Sequence, residues 1–173
     1  LSDLTPEQLI SCLDFSYVDD FLSPEAALKI LQDNYDSREA RIKELGETGY
    51  PAYTTAVGWA GYSDEKVIQC CKNAMAMGFN AFKVKVGTGL EKDDKRVALV
   101  RECVGKDAWL MTDANQVWSV EESVSTMDVL KKHNITWIEE PTAPDDAWGH
   151  SQIAKRIKHM GIGVPTGEHM HNS

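Results

Sequence analysis

The sequence predicts an α/β fold: a parallel sheet whose strands alternate with helices. Three observations predict it. From Tyr50 onward, short runs rich in β-branched and aromatic residues alternate with segments of helical spacing, the rhythm of βα units joined by right-handed crossovers. Charged residues recur at the carboxyl ends of those runs, at Lys85, Asp113, Glu139 and Glu168, the end where parallel α/β sheets place ligands. Their separations of 28, 26 and 29 residues are each about one βα repeat. With neighbouring strands roughly 4.8 Å apart, a curved rim brings such side chains toward one point, whereas a flat sheet strings them along a line.

The elements follow in order. Residues 1–46 read as helical: Thr5 and Pro6 open "TPEQLISCLDF", and Ser23 and Pro24 open "SPEAALKILQDNY", each a capping residue followed by proline at the first helical position. The charged "DSREARIKELGE" follows as a solvated helix or linker. Residues 47–173 carry the alternating units. "AYTTAVGWAGY" is a strand. Ser63 caps a helix that Gly78 stops, with Val67, Cys70, Cys71 and Ala74 inward. Strand "AFKVKVG", helix "EKDDKRVALVRECVG" and strand "AWLMTDAN" come next. A helix then opens on the capping box Ser119-x-x-Glu122, before strand "ITWIEE", closed by Pro141. Helix "HSQIAKRIKHMG" and strand "IGVPTGE" complete the series.

Composition narrows the function. The chain has 173 residues, 42% of them hydrophobic and 26% charged, an ordinary globular balance for one domain with a core. Its 18 basic and 27 acidic residues leave a charge of −9, which disfavours nucleic acid and anionic membrane as partners. No apolar run approaches the length of a membrane span, and "LSDLTPEQL" lacks the features of a signal peptide. Cys12, Cys70, Cys71 and Cys103 have no metal-binding spacing and read as reduced packing residues of an intracellular protein.

The strand "AFKVKVG" holds the sharpest problem. Alternation sends Phe82, Val84 and Val86 to one face and Lys83 with Lys85 to the other. Solvated lysines suit an edge strand, but this strand lies between others in the series, where charge is costly. Three acidic side chains at matching tips raise the converse problem, since like charges crowded together force protonation. A hard divalent cation such as Mg²⁺, which takes oxygen ligands, resolves it with Asp113, Glu139 and Glu168 as ligands. The glycines of "VGTGLEKD" are a weak phosphate-loop signal. His133, His150 and His159 read as surface or helix-end residues, and Trp59, Trp109, Trp118, Trp137 and Trp148 as packing residues.

The segments "KVKVG", "TDANQ", "WIEEP" and "PTGEH", in this order and spacing, resemble successive signatures of the enolase superfamily, in its mandelate-racemase-like branch. The resemblance covers roughly residues 49–172. "GYPAYTTAVGWAGYSD" and "EEPTAPDD" further resemble the acid-sugar dehydratases of the L-fuconate type. The resemblance implies a partial (β/α) TIM-type barrel preceded by a helical segment. It also implies removal of the proton α to a carboxylate, an enediolate stabilised by Mg²⁺, and loss of the β-hydroxyl as water; the use of a Lys or His base with Mg²⁺ is a known property of that superfamily. It makes Lys85 the general base, with Lys83 staying charged beside it and touching the substrate carboxylate. Asp113, Glu139 and Glu168 become the metal ligands. Asn115, on the face of Asp113 if the strand persists, Glu168 and one of His169 and His171, here His169, become substrate contacts, and Glu140 takes a supporting role.

What the resemblance implies beyond the site is an acid sugar (an aldonate) as small-molecule partner, a homo-oligomer of the full-length protein as one form it allows, and mitochondrial residence, with the cytoplasm as the alternative. Against that pattern, residues 1–46 link from a capping domain that is missing, and the barrel stops after the third ligand strand, before an Asp–His acid/base pair. The expectation is that the isolated chain is poorly stable and inactive. A racemase or epimerase of the same superfamily, or a catalytically silent interaction or regulatory product, are the alternatives.

Overall fold

The computed structural model describes residues 3–16 and 18–170. They form two compact units, one reaching to Pro51 and the other Ala52–Met170. The first unit contains three helices: α1 (Pro6–Ser11), α2 (Pro24–Asp33) and α3 (Arg38–Thr48). Thr5 makes a full capping box with Gln8, and the Ser23 hydroxyl accepts the Ala26 N–H. The charged α3 buries no residue, as expected of a solvated helix.

The second unit alternates β1 (Thr54–Gly58), α4 (Asp64–Ala76), β2 (Ala81–Lys85), α5 (Leu90–Val104), β3 (Trp109–Asp113), α6 (Val120–Leu130), β4 (Ile135–Glu139) and α7 (Ala147–Ile157). All four strands are parallel and stand in the order β1-β2-β3-β4, each beside its successor. That unreversed order is the wall of a barrel rather than a doubly wound sheet. β2 is an inner strand, so its lysines are not solvated edge charges. Gly58 is needed where β1 bulges against β2, because a Cβ there would meet the Val84 Cα at 2.8 Å.

One face of the sheet is apolar and carries the helices. Phe82, Val84, Leu110 and Ile138 pack with Val67, Cys71, Val97, Val100, Met127, Ile153 and Ile157 into one buried cluster. Truncating a residue such as Leu110 to alanine costs about 2–5 kcal/mol. Cys70 is only half-buried, whereas burial beside Cys103 pushes the Cys71 thiol up to about 12, so it is an inert packing group. Among the described residues no helix is long and apolar enough to cross a membrane.

Several expectations need correction. "IGVPTGE" does not complete a fifth strand. Gly163 bridges to Trp137 and exchanges backbone hydrogen bonds with Thr136 and Ile138, and the Glu140 N–H reaches Pro165. The ladder's next donor is Pro165, which has no N–H, so pairing stops there. α7 starts before His150 because the Asp146 carboxylate caps it by accepting the Gly149 N–H at 2.7 Å. His150 is thereby buried in its first turn, with Nδ1 on the Asp146 carbonyl and Nε2 without a partner among the described residues. Trp59, Trp109 and Trp148 are exposed rather than packed, standing at the ends of their elements.

Candidate active site

The strand registers put Lys85 opposite Asp113, and Asp113 opposite Glu139, so these three residues form one row across the carboxyl tips of β2, β3 and β4. Lys83 lies one pleat deeper on the same face. Its ammonium is 2.7 Å from Glu139 Oε1 and 3.3 Å from Asp113 Oδ2, while the Lys85 ammonium is 2.6 Å from the same Asp113 oxygen. The two lysines differ in exposure: the side chain of Lys83 is 5% exposed and that of Lys85 29%. One cation is thus built in and the other reaches toward solvent.

The surroundings of Lys83 explain how a buried ammonium survives. Its Nζ donates to the Tyr53 hydroxyl at 3.3 Å and sits 5.0 Å from the centre of that ring. Burial works against its charge, but the hydrogen bond and charge of Glu139, the charge of Asp113 and the bond to Tyr53 outweigh it, holding the proton well above the ordinary lysine value. Both partner carboxylates are held from behind as well. Trp137 Nε1 donates to Glu139 Oε2 at 3.3 Å and packs edge-on against Tyr53, and the Asn115 N–H donates to Asp113 Oδ1 at 2.9 Å.

A second group borders the row. Glu140 is 1% exposed and turns the chain with φ of 42°. Its carboxylate accepts from Gln116 Nε2 at 3.2 Å and from the backbone N–H of His169, with His169 Nδ1 3.0 Å from both oxygens. Burial opposes its charge, yet the bonds to His169 and Gln116 prevail and hold its carboxyl below the usual range. The imidazole of His169 is raised in turn, first by its bond to Glu140, against a smaller effect of burial, and then by the charges of Glu140, Glu168 and Asp113. Glu140, Glu168 and His169 present ligand atoms all within 4.8 Å of one another.

Of the expected residues, then, the structure brings Lys83, Lys85, Asp113 and Glu139 into direct contact. It does not gather Glu168 with Asp113 and Glu139 as one ligand set: Glu168 stands instead with Glu140 and His169. The strand does not persist to Asn115: β3 ends at Asp113 and Asn115 takes φ of 48°, so its exposed side chain is not placed by alternation, and its backbone N–H serves Asp113. His171 lies outside the described residues. Sequence reasoning missed Tyr53, Gln116 and the part Trp137 plays. Trp137 had a legible signal, standing two residues before Glu139 on one strand face; Tyr53 and Gln116 had none. The left-handed backbone at Asn115, Gln116 (φ 69°) and Glu140 gathers strain at this rim, where functional loops keep it.

The model of the enolase C-terminal domain-like family matches residues 66–173. The chain belongs to that family. It is 47% identical over 172 residues to mitochondrial enolase superfamily member 1 of Xenopus laevis, a match spanning 99% of this chain and 39% of the relative. L-galactonate dehydratase of Hypocrea jecorina is 43% identical over 175 residues, with 99% of this chain and 39% of that protein covered. The crystal structure of human mitochondrial enolase superfamily member 1 superposes with a TM-score of 0.91 at 46% identity, covering 99% of this chain and 39% of that one. The chain therefore spans about two-fifths of the length of these relatives. A racemase from Streptomyces coelicolor, solved with bound magnesium, matches at TM-score 0.64 and 33% identity over 70% of this chain and 33% of its own. The four parallel strands match part of the TIM-type barrel domain of the enolase superfamily, and magnesium occurs within that family.

The donor set suits such an ion. Asp113 and Glu139 offer hard oxygen atoms side by side, both already in contact with positive charge, while Cys71 lies in the apolar core with Cys70 and Cys103 packed against it. The charge that balances the two carboxylates here is the pair of ammonium groups.

Proposed function

We propose that this chain carries the proton-abstracting part of a Mg²⁺-dependent acid-sugar dehydratase of the L-fuconate type. One observation carries the proposal: Lys85, Asp113 and Glu139 stand in one row of adjacent strand tips with Lys83 buried beneath them. The family membership and the likeness to a fungal L-galactonate dehydratase support it.

In this reading Lys85, the accessible lysine, first gives up its ammonium proton to solvent and then, as the amine, takes the proton from the carbon next to the substrate carboxylate. Lys83 is held charged by Glu139 and Asp113, so it cannot act as the base; it faces the carboxylate oxygens onto which negative charge moves as the C–H bond breaks. Asp113, Glu139 and Glu168 are the residues that would hold Mg²⁺, which supplies further positive charge for those oxygens. Electron density then returns to form the carbon–carbon double bond, and the hydroxyl on the next carbon departs as water with a proton from a general acid, the part that the family resemblance gives to an Asp–His pair. The enol left behind takes up a proton to become the 2-keto acid. Asn115, Glu168 and His169 border the substrate. Trp137 and the Asn115 N–H keep the carboxylates oriented while the lysines exchange partners. Residence in mitochondria belongs to the same reading, supported by the Xenopus and human relatives.

The test is a panel of aldonates given to the full-length protein with Mg²⁺, with formation of a 2-keto acid as the readout. A keto acid from L-fuconate or a near relative bears the proposal out. Inversion at the α-carbon without loss of water would make the protein a racemase or epimerase instead. No reaction with any aldonate would overturn both.

A further inference from the structure

Between β2 and α5 the chain makes a turn whose amides would be free to bind an anion, yet they are already taken. Asp93, in the first turn of α5 and 1% exposed, bends back and accepts the Gly87 N–H at 2.7 Å, the Thr88 N–H at 3.2 Å and the Thr88 hydroxyl at 2.7 Å. This disposes of the phosphate-loop reading of "VGTGLEKD". Gly87, with φ of 99°, has no room for a Cβ, which would meet Val117 at 2.5 Å, so the turn lies tight against the loop that follows Asp113.

Arg96, one turn further along α5, completes the arrangement. Its Nη1 reaches Asp93 Oδ1 at 3.2 Å, the Lys85 carbonyl at 3.3 Å and the Thr88 hydroxyl at 3.4 Å; its Nη2 reaches the Ala60 carbonyl at 3.3 Å. On the other side, the Val86 N–H donates to the Asp113 carbonyl at 2.9 Å. The peptide that follows Lys85 is therefore fastened at both its polar atoms, the carbonyl to Arg96 and the N–H to β3. Among the described residues no comparable fastening holds the Lys85 side chain itself, whose one polar contact there is Asp113.

We infer that Asp93 and Arg96 are positioning residues for Lys85: they fix the backbone from which the base projects and so set where its amine meets the substrate. The inference rests on Lys85 being the base of the proposed reaction. Arg96 meets the row only at the Lys85 backbone carbonyl, and neither residue hydrogen-bonds a charged side chain of the row among the described residues. They act through the turn, with the Asp93 carboxylate orienting Arg96 and closing the amides while Arg96 ties the end of β2 to the end of β1. Loss of this frame lets the amine wander, and a misplacement near 1 Å costs a rate of order 10²-fold.

The experiment compares Arg96→Met, Asp93→Asn and Arg101→Met in the full-length protein. Arg101 is a matched control on the same helix, binding four backbone carbonyls far from the row. In the dehydratase assay Arg96→Met is expected to lower kcat by roughly 10- to 100-fold with KM little changed. Asp93→Asn, nearly isosteric, lowers kcat in the same way by less, and Arg101→Met lowers stability while kcat per folded molecule holds. Crystal structures of the variants give a readout that needs no substrate: Arg96→Met is expected to move the Lys85 amine off its 2.6 Å contact with Asp113. An amine left in place with kcat unchanged, or an equal fall in kcat for Arg101→Met, overturns the inference. If the parent protein turns over no aldonate, the functional proposal fails, and the position of Lys85 in the variant crystals still decides this one.

Discussion

The two ends of one sheet use charge in opposite ways. At the amino ends of β3 and β4 a single cation serves neutral acceptors: the Arg101 guanidinium donates to the carbonyls of Ala108 (2.7 Å), Gly105 (2.8 Å), His133 (2.9 Å) and Asn134 (3.0 Å). At the carboxyl ends, two ammonium groups face two carboxylates, and the backbone around them is left-handed at three positions. The first arrangement closes backbone groups that the strand ladder leaves open and stabilises the fold. The second concentrates charge where desolvation is costly, an arrangement that as a rule adds little to stability and is typical of functional sites.

The comparison can be broken or sharpened by substitution, and the largest effect is expected at the rim. Lys85→Met should lower kcat on the substrate by about 10²–10⁴-fold, the usual share of a general base, while thermal unfolding changes little because the side chain is partly solvated. A matching loss of stability would show that this lysine is structural after all. Asp113→Ala leaves Lys83 short of one counter-charge and Lys85 with none among the described residues, and is expected to cost about 3–5 kcal/mol in urea unfolding. Arg101→Met removes the four carbonyl contacts at the other end, and about 3 kcal/mol of stability with them, leaving kcat per folded molecule unaltered.

The smallest effect separates the ends by pH. Near the amino end, hydrogen bonds from Lys132 and then His133 hold Asp94 below its ordinary value against slight burial. Its contribution is present above the unfolded carboxylate value and is lost as pH falls through the lower folded one. Asp94→Asn should therefore reduce stability at neutral pH by about 0.5–1 kcal/mol and flatten the acid limb of a stability–pH curve. Lys83 works in the other direction. Being raised, it contributes fully below the unfolded lysine value, and that contribution fades only as pH climbs through the higher folded one, so the rim loosens in strong alkali.

Much of this was legible in the sequence, because period and punctuation carried it. Caps at Thr5, Ser23, Ser63 and Ser119 marked helix starts, and alternation in "AFKVKV" separated Phe82 and Val84 from the two lysines. The spacing of Lys85, Asp113 and Glu139 gave their shared height, which the strand registers reproduce. What stayed hidden depends on contacts between distant segments. The stacking of Tyr53 on Lys83 joins residues 30 apart with no local pattern. The burial of Glu140 follows from a left-handed turn that alternation does not foresee. Pro165 was visible in the sequence, but its effect appears only once the ladder shows which N–H was needed.

The central claim is that Lys85 removes an α-proton while carboxylates from neighbouring tips hold the charge in place. Incubating the full-length protein with Mg²⁺ and an aldonate in deuterated water, and following the α-proton by NMR, tests it most directly. The account predicts loss or exchange of that proton with the parent protein and none with Lys85→Met. Exchange at the parental rate in the variant would contradict it.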